Sequence, residues 1–110
     1  DEALEILKNN QINKQNRIDT ILKEGYPSYT TAAGWLGYSD EKIIELCNQY
    51  MSKGWKHFKI KVGLDLEADV KRLELIRKTI GDDCFIMVDA NQQWNINQYF
   101  LRLSLTHFLR

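Results

Sequence analysis

The sequence predicts an α/β protein in which parallel strands alternate with helices. Apolar residues at helical spacing alternate along the chain with short β-branched and aromatic runs, in the order strand, helix, strand, helix, strand. Lys61 and Asp89, near the ends of the second and third strands, are 28 residues apart, which is close to the roughly 30 residues of one βαβ unit. This pitch indicates parallel strands with right-handed crossovers, as in a doubly wound sheet or the first units of a (β/α)8 barrel.

Length and composition fit one globular domain and argue against some classes of partner. The 110 residues include 15 basic and 15 acidic ones, and the net charge of zero gives no overall field that would attract nucleic acid or a membrane. Hydrophobic residues make up 44% of the chain, and no apolar run is long enough to span a bilayer. Cys47 is predicted to be a buried helix residue and Cys84 a strand-entry residue. Both are predicted to be reduced, because neither belongs to a CxxC pair or a zinc-site pattern.

Residues 1–25 are predicted to form a helical lead-in segment of two short helices. Apolar residues recur at helical spacing on both sides of the mainly polar stretch NNQINKQN. Gly25, followed by Pro27, is expected to end the second helix. The next run, PSYTTAA at 27–33, is predicted to be the first strand because of its β-branched and aromatic residues, and 34–38 is predicted to be a loop.

Two longer helices are predicted from their caps and spacing. Ser39 precedes two acidic residues that suit the positive end of a helix, and apolar residues then recur three and four positions apart as far as Gly54. Asp65 is expected to cap the second of these helices, which Gly81 ends. A further helix is expected after Asn95.

The strands predicted at 55–62 and 84–89 favour one architecture. Lys59 and Lys61 alternate with apolar residues, so both point to the same face. An edge strand with its lysines in water is one interpretation, whereas a doubly wound sheet needs apolar strands on both faces. A barrel keeps a polar face near its C-terminal mouth, where catalytic groups gather. We therefore predict a partial (β/α)8 barrel, about its first three strands with their helices, preceded by a helical segment.

Polar residues at the ends of two strands form the candidate site. Asp89 and Asn91 are also two residues apart and therefore lie on one face. If their strand is the parallel neighbour of the strand with Lys59 and Lys61, two ammonium groups face a carboxylate and a carboxamide. Two charges roughly 7 Å apart repel by on the order of 2.4 kcal/mol at an effective dielectric of about 20, which would lower the pKa of the lysines. A nearby carboxylate would instead raise the pKa of a lysine. A lysine brought toward neutrality can act as a general base, and Asp89 could bind a hard cation such as Mg2+.

Each of these residues also has a structural interpretation. The lysines could line a solvated strand face, Asp89 could cap a loop and Asn91 could be a turn residue. The aromatic residues Trp55, Phe58 and Phe85 are interpreted as packing residues of the core, and His57 as structural. For Trp35 and Tyr38, packing and a place at the barrel mouth both stay open.

Three motifs together resemble the mandelate-racemase branch of the enolase superfamily. They are GYPSYTTAAGWLGYSDEK at 25–42, FKIKVG at 58–63 and VDANQQW at 88–94. Within that branch the likeness is to the acid-sugar dehydratases, the group that includes the L-fuconate dehydratases, and it covers nearly ninety-five residues. The resemblance implies a Mg2+-dependent lyase that abstracts the proton α to a carboxylate. The resulting enediolate then loses water, which gives a 2-keto-3-deoxy sugar acid.

The resemblance also assigns roles to four residues. Lys61 matches the catalytic acid/base lysine, Lys59 and Asn91 match substrate contacts, and Asp89 matches the first metal ligand. The family's two glutamate ligands and its partner histidine have no counterpart motif in this sequence. A complete barrel takes about 250 residues. We therefore expect this sequence to be a fragment that is inactive alone.

The expected organisation has three segments: a lead-in from the end of a capping region (1–25), the first βα units of an enolase-type barrel (26–96) and a divergent helical tail (97–110). The resemblance implies a small-molecule sugar acid as partner and a mitochondrial, otherwise soluble intracellular, location. The zero net charge and the short apolar runs argue against nucleic acid and membrane as partners, and a homo-oligomer is an option for the complete protein. One alternative is a non-catalytic truncated isoform that acts through protein contacts. A second, a nucleic-acid-binding module, is disfavoured by the zero net charge.

Overall fold

The computed structural model describes residues 1–108, without the side chains at 101, 103, 104 and 106. The described residues form five α-helices, two strands and one 3-10 helix. In chain order these elements are α1 (Glu2–Asn9), α2 (Lys14–Glu24), α3 (Asp40–Ser52), β1 (His57–Lys61), α4 (Leu66–Ile80), β2 (Phe85–Asp89), α5 (Ile96–Leu101) and the 3-10 helix Arg102–Phe108. Residues 109–110 of the predicted tail lie outside this range.

The two strands form a parallel pair. They are in register from His57 beside Phe85 to Lys61 beside Asp89, and α4 provides the crossover between them. Before β1, the chain runs along the strand's other edge, where Thr30 makes an isolated parallel bridge with Phe58. The predicted α/β class and the partial barrel are thus confirmed.

The predicted strand at 27–33 is wrong as a regular strand. The Thr30 hydroxyl accepts a hydrogen bond from the Ala32 N–H at 3.1 Å, and the Gly34 N–H donates to the Thr31 carbonyl at 3.0 Å. These local bonds compete with a strand ladder, so the chain turns here. It meets β1 again where the Lys61 N–H donates to the Gly34 carbonyl at 2.8 Å.

The predicted helix caps are confirmed in α3 and α4. Ser39 and Asp65 each accept a hydrogen bond from the backbone N–H three residues later, at 3.3 Å and 2.8 Å. Gly81 ends α4 with a φ of 72°, in the region that favours glycine. The two predicted lead-in helices are also present as α1 and α2. No helix among residues 1–108 has the length and apolar character needed to cross a membrane.

The core lies between one face of the sheet and the helices α3 and α4. Twelve apolar residues of the described chain form it, and they are Ala33, Ile43, Cys47, Phe58, Ile60, Val62, Leu73, Ile76, Ile80, Cys84, Ile86 and Leu105. Both cysteines are free, and Cys47 is buried, as predicted; Cys84 is buried as well. Burial raises the pKa of the Cys47 thiol to about 11. Helices α1 and α2 contribute no buried residue.

The opposite face of the sheet is open. Phe85 is 50% exposed, and its ring stacks on that of His57 with 4.8 Å between the ring centroids. Its predicted place in the core is wrong, because the alternation along β2 puts Phe85 on the same face as Asp89. Trp55 and Phe58, by contrast, pack in or against the core as predicted. The open face therefore carries the candidate site at one end and the stacked rings at the other.

Candidate active site

The four residues predicted as a site lie together at the C-terminal ends of the two strands. Register places Lys61 directly beside Asp89, and Lys59 lies two residues earlier on the same face. Asn91 follows β2 with a φ of 46°, a left-handed conformation that asparagine tolerates. We call these four residues, Lys59, Lys61, Asp89 and Asn91, the Lys–Asp–Asn cluster.

The Asp89 carboxylate is the centre of this cluster. Lys61 Nζ donates to Asp89 Oδ2 at 2.8 Å and to Asn91 Oδ1 at 2.5 Å. Lys59 Nζ lies 3.0 Å from the same Asp89 Oδ2. The other carboxylate oxygen, Oδ1, accepts the Asn91 backbone N–H at 3.0 Å. One carboxylate thus faces two ammonium groups, which leaves the cluster with an excess of positive charge.

The charges in the cluster shift its pKa values. The pKa of Asp89 is held well below its usual range, first by the Lys61 hydrogen bond, then by the Asn91 amide and by Lys59. The pKa of Lys59 is raised, chiefly because it donates to Asp89 and secondly to Tyr29. The predicted lowering by the second lysine is therefore wrong for Lys59, because the nearby carboxylate outweighs the other ammonium group.

Tyr29 is a neighbour of the cluster that the sequence did not reveal. Lys59 Nζ donates to the Tyr29 hydroxyl at 3.5 Å and lies 5.0 Å from the ring centroid. A pocket of about 240 Å³ lies beside this contact, lined by Pro27, Ser28, Tyr29, His57 and Met87. The two partners are 30 residues apart, and no local spacing pattern could have paired them.

The donors of the cluster fit part of a magnesium site. Asp89 offers the hard carboxylate oxygen that Mg2+ prefers, and Asn91 places an amide oxygen close by. Mg2+ nevertheless requires near-octahedral coordination. Among residues 1–108, no three His, Cys, Asp or Glu side chains are grouped so that they could hold a metal ion. The described residues thus offer one carboxylate for Mg2+, with an amide oxygen beside it, rather than a whole site.

Comparisons of the sequence with known proteins identify close relatives. The enolase C-terminal domain-like family matches residues 42–104. Mitochondrial enolase superfamily member 1 of Xenopus laevis is 48% identical over 98 residues, which are 89% of this chain and 22% of that protein. L-galactonate dehydratase of Hypocrea jecorina is 40% identical over 110 residues, 94% of this chain and 24% of that protein. The chain therefore spans less than a quarter of the length of these relatives.

Solved structures show the same relationship. The crystal structure of human mitochondrial enolase superfamily member 1 matches with a TM-score of 0.83 at 46% identity, over 96% of this chain and 24% of that chain. L-talarate dehydratase from Polaromonas sp. JS666, crystallised with Mg and L-glucarate, matches with a TM-score of 0.65 at 29% identity, over 74% of this chain and 24% of that chain. These matches confirm the predicted resemblance to the mandelate-racemase branch of the enolase superfamily. Since the family match covers more than half of the sequence, the chain belongs to the enolase C-terminal domain-like family.

Proposed function

We propose that this chain carries part of the active site of a Mg2+-dependent acid-sugar dehydratase of the L-fuconate dehydratase type. The observation that carries the proposal is the meeting of Lys61 Nζ and Asp89 Oδ2 at 2.8 Å, at the paired ends of two parallel barrel strands. A dehydratase among the sequence relatives and another among the structural relatives support the reaction class. The substrate is a small hydroxylated sugar acid.

In this proposal Lys61 is the base that removes the proton α to the substrate carboxylate. The electron pair of the broken C–H bond forms an enediolate. The β-hydroxyl then leaves with one proton as water, so that the substrate loses one H2O overall, and the resulting enol becomes a 2-keto-3-deoxy sugar acid. A base must offer a free electron pair, so in this step Lys61 Nζ would give up the hydrogen bonds that it donates to Asp89 and Asn91.

The other three residues bind and orient. The raised pKa of Lys59 keeps its ammonium group charged, which suits a contact to the substrate carboxylate and not a base. Asn91 can offer its amide to a substrate hydroxyl. Asp89 would provide one ligand for Mg2+, which when bound stabilises the negative charge of an enediolate.

The test uses the complete protein that contains this segment, with a sugar acid in D2O. Lys61→Ala should reduce exchange of the α-proton and turnover by about 100-fold or more, because the base is lost. Lys59→Ala should mainly raise KM. Lys53→Ala removes an exposed lysine beyond the end of α3 and is the matched control. It should change neither turnover nor KM. Full turnover by the Lys61 variant would refute the proposal, and we expect the 110-residue chain alone to give no turnover.

A second candidate function is favoured by a separate observation. Leu4, Leu7 and Leu22 on α1 and α2 are between 55% and 80% exposed, although large apolar side chains usually pack. We propose as the alternative that the chain acts through protein contacts, without chemistry. Replacing Leu7 and Leu22 by Ser should then weaken its binding to the complete enzyme, whereas Lys61→Ala should not.

We further propose a mitochondrial location, which the name of the Xenopus laevis relative supports. Fractionation of cells that express the tagged protein, with a protease-protection step, tests it. Self-association of the complete protein stays a prediction that light scattering can test.

A further inference from the structure

A buried carboxylate on α4 lies behind the end of β1. Asp69 is 1% exposed, and it is the only charged residue buried in the described part of the chain. Its Oδ2 accepts the Gly63 N–H at 2.7 Å and a bond from Arg102 Nη1 at 3.3 Å. Its Oδ1 accepts a bond from Arg72 Nη2 at 3.0 Å. We call Asp69, Arg72 and Arg102 the Asp69 clamp.

The clamp reaches the backbone of Lys61. Arg72 Nη2, which binds Asp69, also donates to the Lys61 carbonyl at 2.7 Å. The carboxylate holds Gly63 while the guanidinium holds Lys61, so the clamp binds both sides of Val62 at the strand end. Side chains of α4 therefore contact the backbone that carries the Lys61 side chain.

The loop after β2 is held by the same group of residues. Gly63 has a φ of 124°, and a Cβ atom added to it would lie 3.2 Å from Gln93 Cβ and 3.3 Å from Trp94 Nε1. Arg102 lies over the Trp94 ring, with 5.3 Å between the guanidinium carbon and the ring centroid. The clamp thus contacts the end of β1 directly and the loop after β2 through Arg102 and Trp94.

Stability alone explains this arrangement poorly. Burial lowers the pKa of Arg72, although the charge of Asp69 acts in the opposite direction. Removing the Arg72 guanidinium from water therefore has a cost. Arg72 Nε is also buried without a hydrogen-bond partner among the described residues, and an unpaired buried donor is unfavourable. Buried ion pairs often add no more stability than apolar residues of similar size.

We propose that Asp69 is a positioning residue for Lys61, acting through Arg72 and the backbone at the end of β1. The inference rests on the proposed function, in which Lys61 is the base. The clamp keeps the Lys61 side chain directed toward Asp89 and the substrate position, and it touches neither the substrate nor the reacting atoms.

The test compares Asp69→Asn and Arg72→Lys with Glu67→Gln in the 110-residue chain at a fixed neutral pH. Glu67 is the matched control, because it lies on the same helix but pairs with Lys71 at the surface. By NMR, a held Lys61 side chain gives separate signals for its two Hε protons. We expect these signals to merge in both clamp variants and to stay separate in Glu67→Gln. Asp69→Asn should also accelerate exchange of the Gly63 amide by about 10-fold.

Arg72→Lys keeps the positive charge, but the lysine side chain is shorter, so its nitrogen should not reach both groups that Arg72 Nη2 contacts, Asp69 and the Lys61 carbonyl. It therefore tests the proposal even if Asp69→Asn fails to fold. In the complete protein we expect it to lower kcat by roughly 10- to 100-fold with little change in KM, because the base is misplaced. Separate Hε signals in folded Arg72→Lys, with only a lower unfolding midpoint, would overturn the positioning role. Full activity of Lys61→Ala would instead refute the proposed function, and the NMR result would still decide whether the clamp holds Lys61.

Discussion

At the scale of single residues, Asp89 controls the charge balance of the cluster. It is the carboxylate that both lysines contact, at 2.8 Å and 3.0 Å. Its lowered pKa means that the folded chain holds the ionised form more strongly than the unfolded chain does. Stability from Asp89 is therefore present above the unfolded pKa of about 4 and decreases as the pH falls from there through the folded pKa.

Asp89→Asn is predicted to remove this pH-dependent stability. At pH 6 the variant should unfold at a lower urea concentration than the unchanged chain, because two ammonium groups then lack their counter-ion. The difference between the two midpoints should shrink as the pH is lowered below about 4. Urea unfolding followed by circular dichroism from pH 6 to pH 2 measures this difference in midpoint.

The control for this experiment is Asp83→Asn, which removes an exposed carboxylate from the turn before β2. It should shift the midpoint little at any of these pH values. An equal loss at pH 6 and pH 2 for Asp89→Asn would show that the effect is not electrostatic.

The sequence was sufficient to predict the contact between Lys61 and Asp89 but not to predict the Asp69 clamp. Residues that end neighbouring parallel strands must meet, so spacing alone brought the two together. Asp69 lies in the first turn of α4, where an acidic residue is normally explained by the helix dipole. Its burial depends on Gly63 and Arg102, which come from other parts of the fold.

At the scale of elements, the helices were predictable because their periodicity is local. In α3, Ile43 is 1% exposed and its neighbour Ile44 is 37% exposed, as expected for one apolar face. The segment at 27–33 was not predictable, because its β-branched composition suits a strand while the Thr30 hydroxyl satisfies the backbone locally. Tertiary contact with β1 then decides where the pairing resumes, and it resumes at Gly34.

Gly34→Ala is predicted to break this contact. A Cβ atom added to Gly34 would lie 2.2 Å from the Lys59 carbonyl oxygen, so one of the two backbones must move. We expect a loss of about 1–3 kcal/mol in the free energy of unfolding, typical of overpacking, and faster exchange of the Lys61 amide. Urea unfolding and amide exchange measure these effects.

Gly37→Ala provides the matched control, because a Cβ atom there would come no closer than 3.8 Å to a Trp35 ring atom. It should change the free energy of unfolding by no more than about 0.5 kcal/mol. Unchanged Lys61 exchange in Gly34→Ala would show that the edge of β1 does not need the close approach.

At the scale of the whole molecule, the chain is more extended than a compact domain. Its radius of gyration is 18.3 Å, whereas a compact chain of this length would have about 13 Å. The excess comes partly from α1 and α2, which bury no residue. The motifs predicted the barrel family, but local patterns could not show this shape, because the apolar spacing of α1 and α2 is the same whether or not a partner covers it.

The two ends of the chain are therefore predicted to differ in what they contribute to stability. Deleting residues 1–24 should change the free energy of unfolding by no more than about 0.5 kcal/mol, since no buried contact is lost, and should reduce self-association by removing exposed apolar surface. Deleting residues 102–110 should cost about 2–5 kcal/mol, because it exposes the site of Leu105, which is 2% exposed, and removes Arg102 from Asp69. Urea unfolding and light scattering of the two shortened chains measure both effects. Equal destabilisation by the two deletions would contradict the prediction and would mean that α1 and α2 pack on the barrel units in solution.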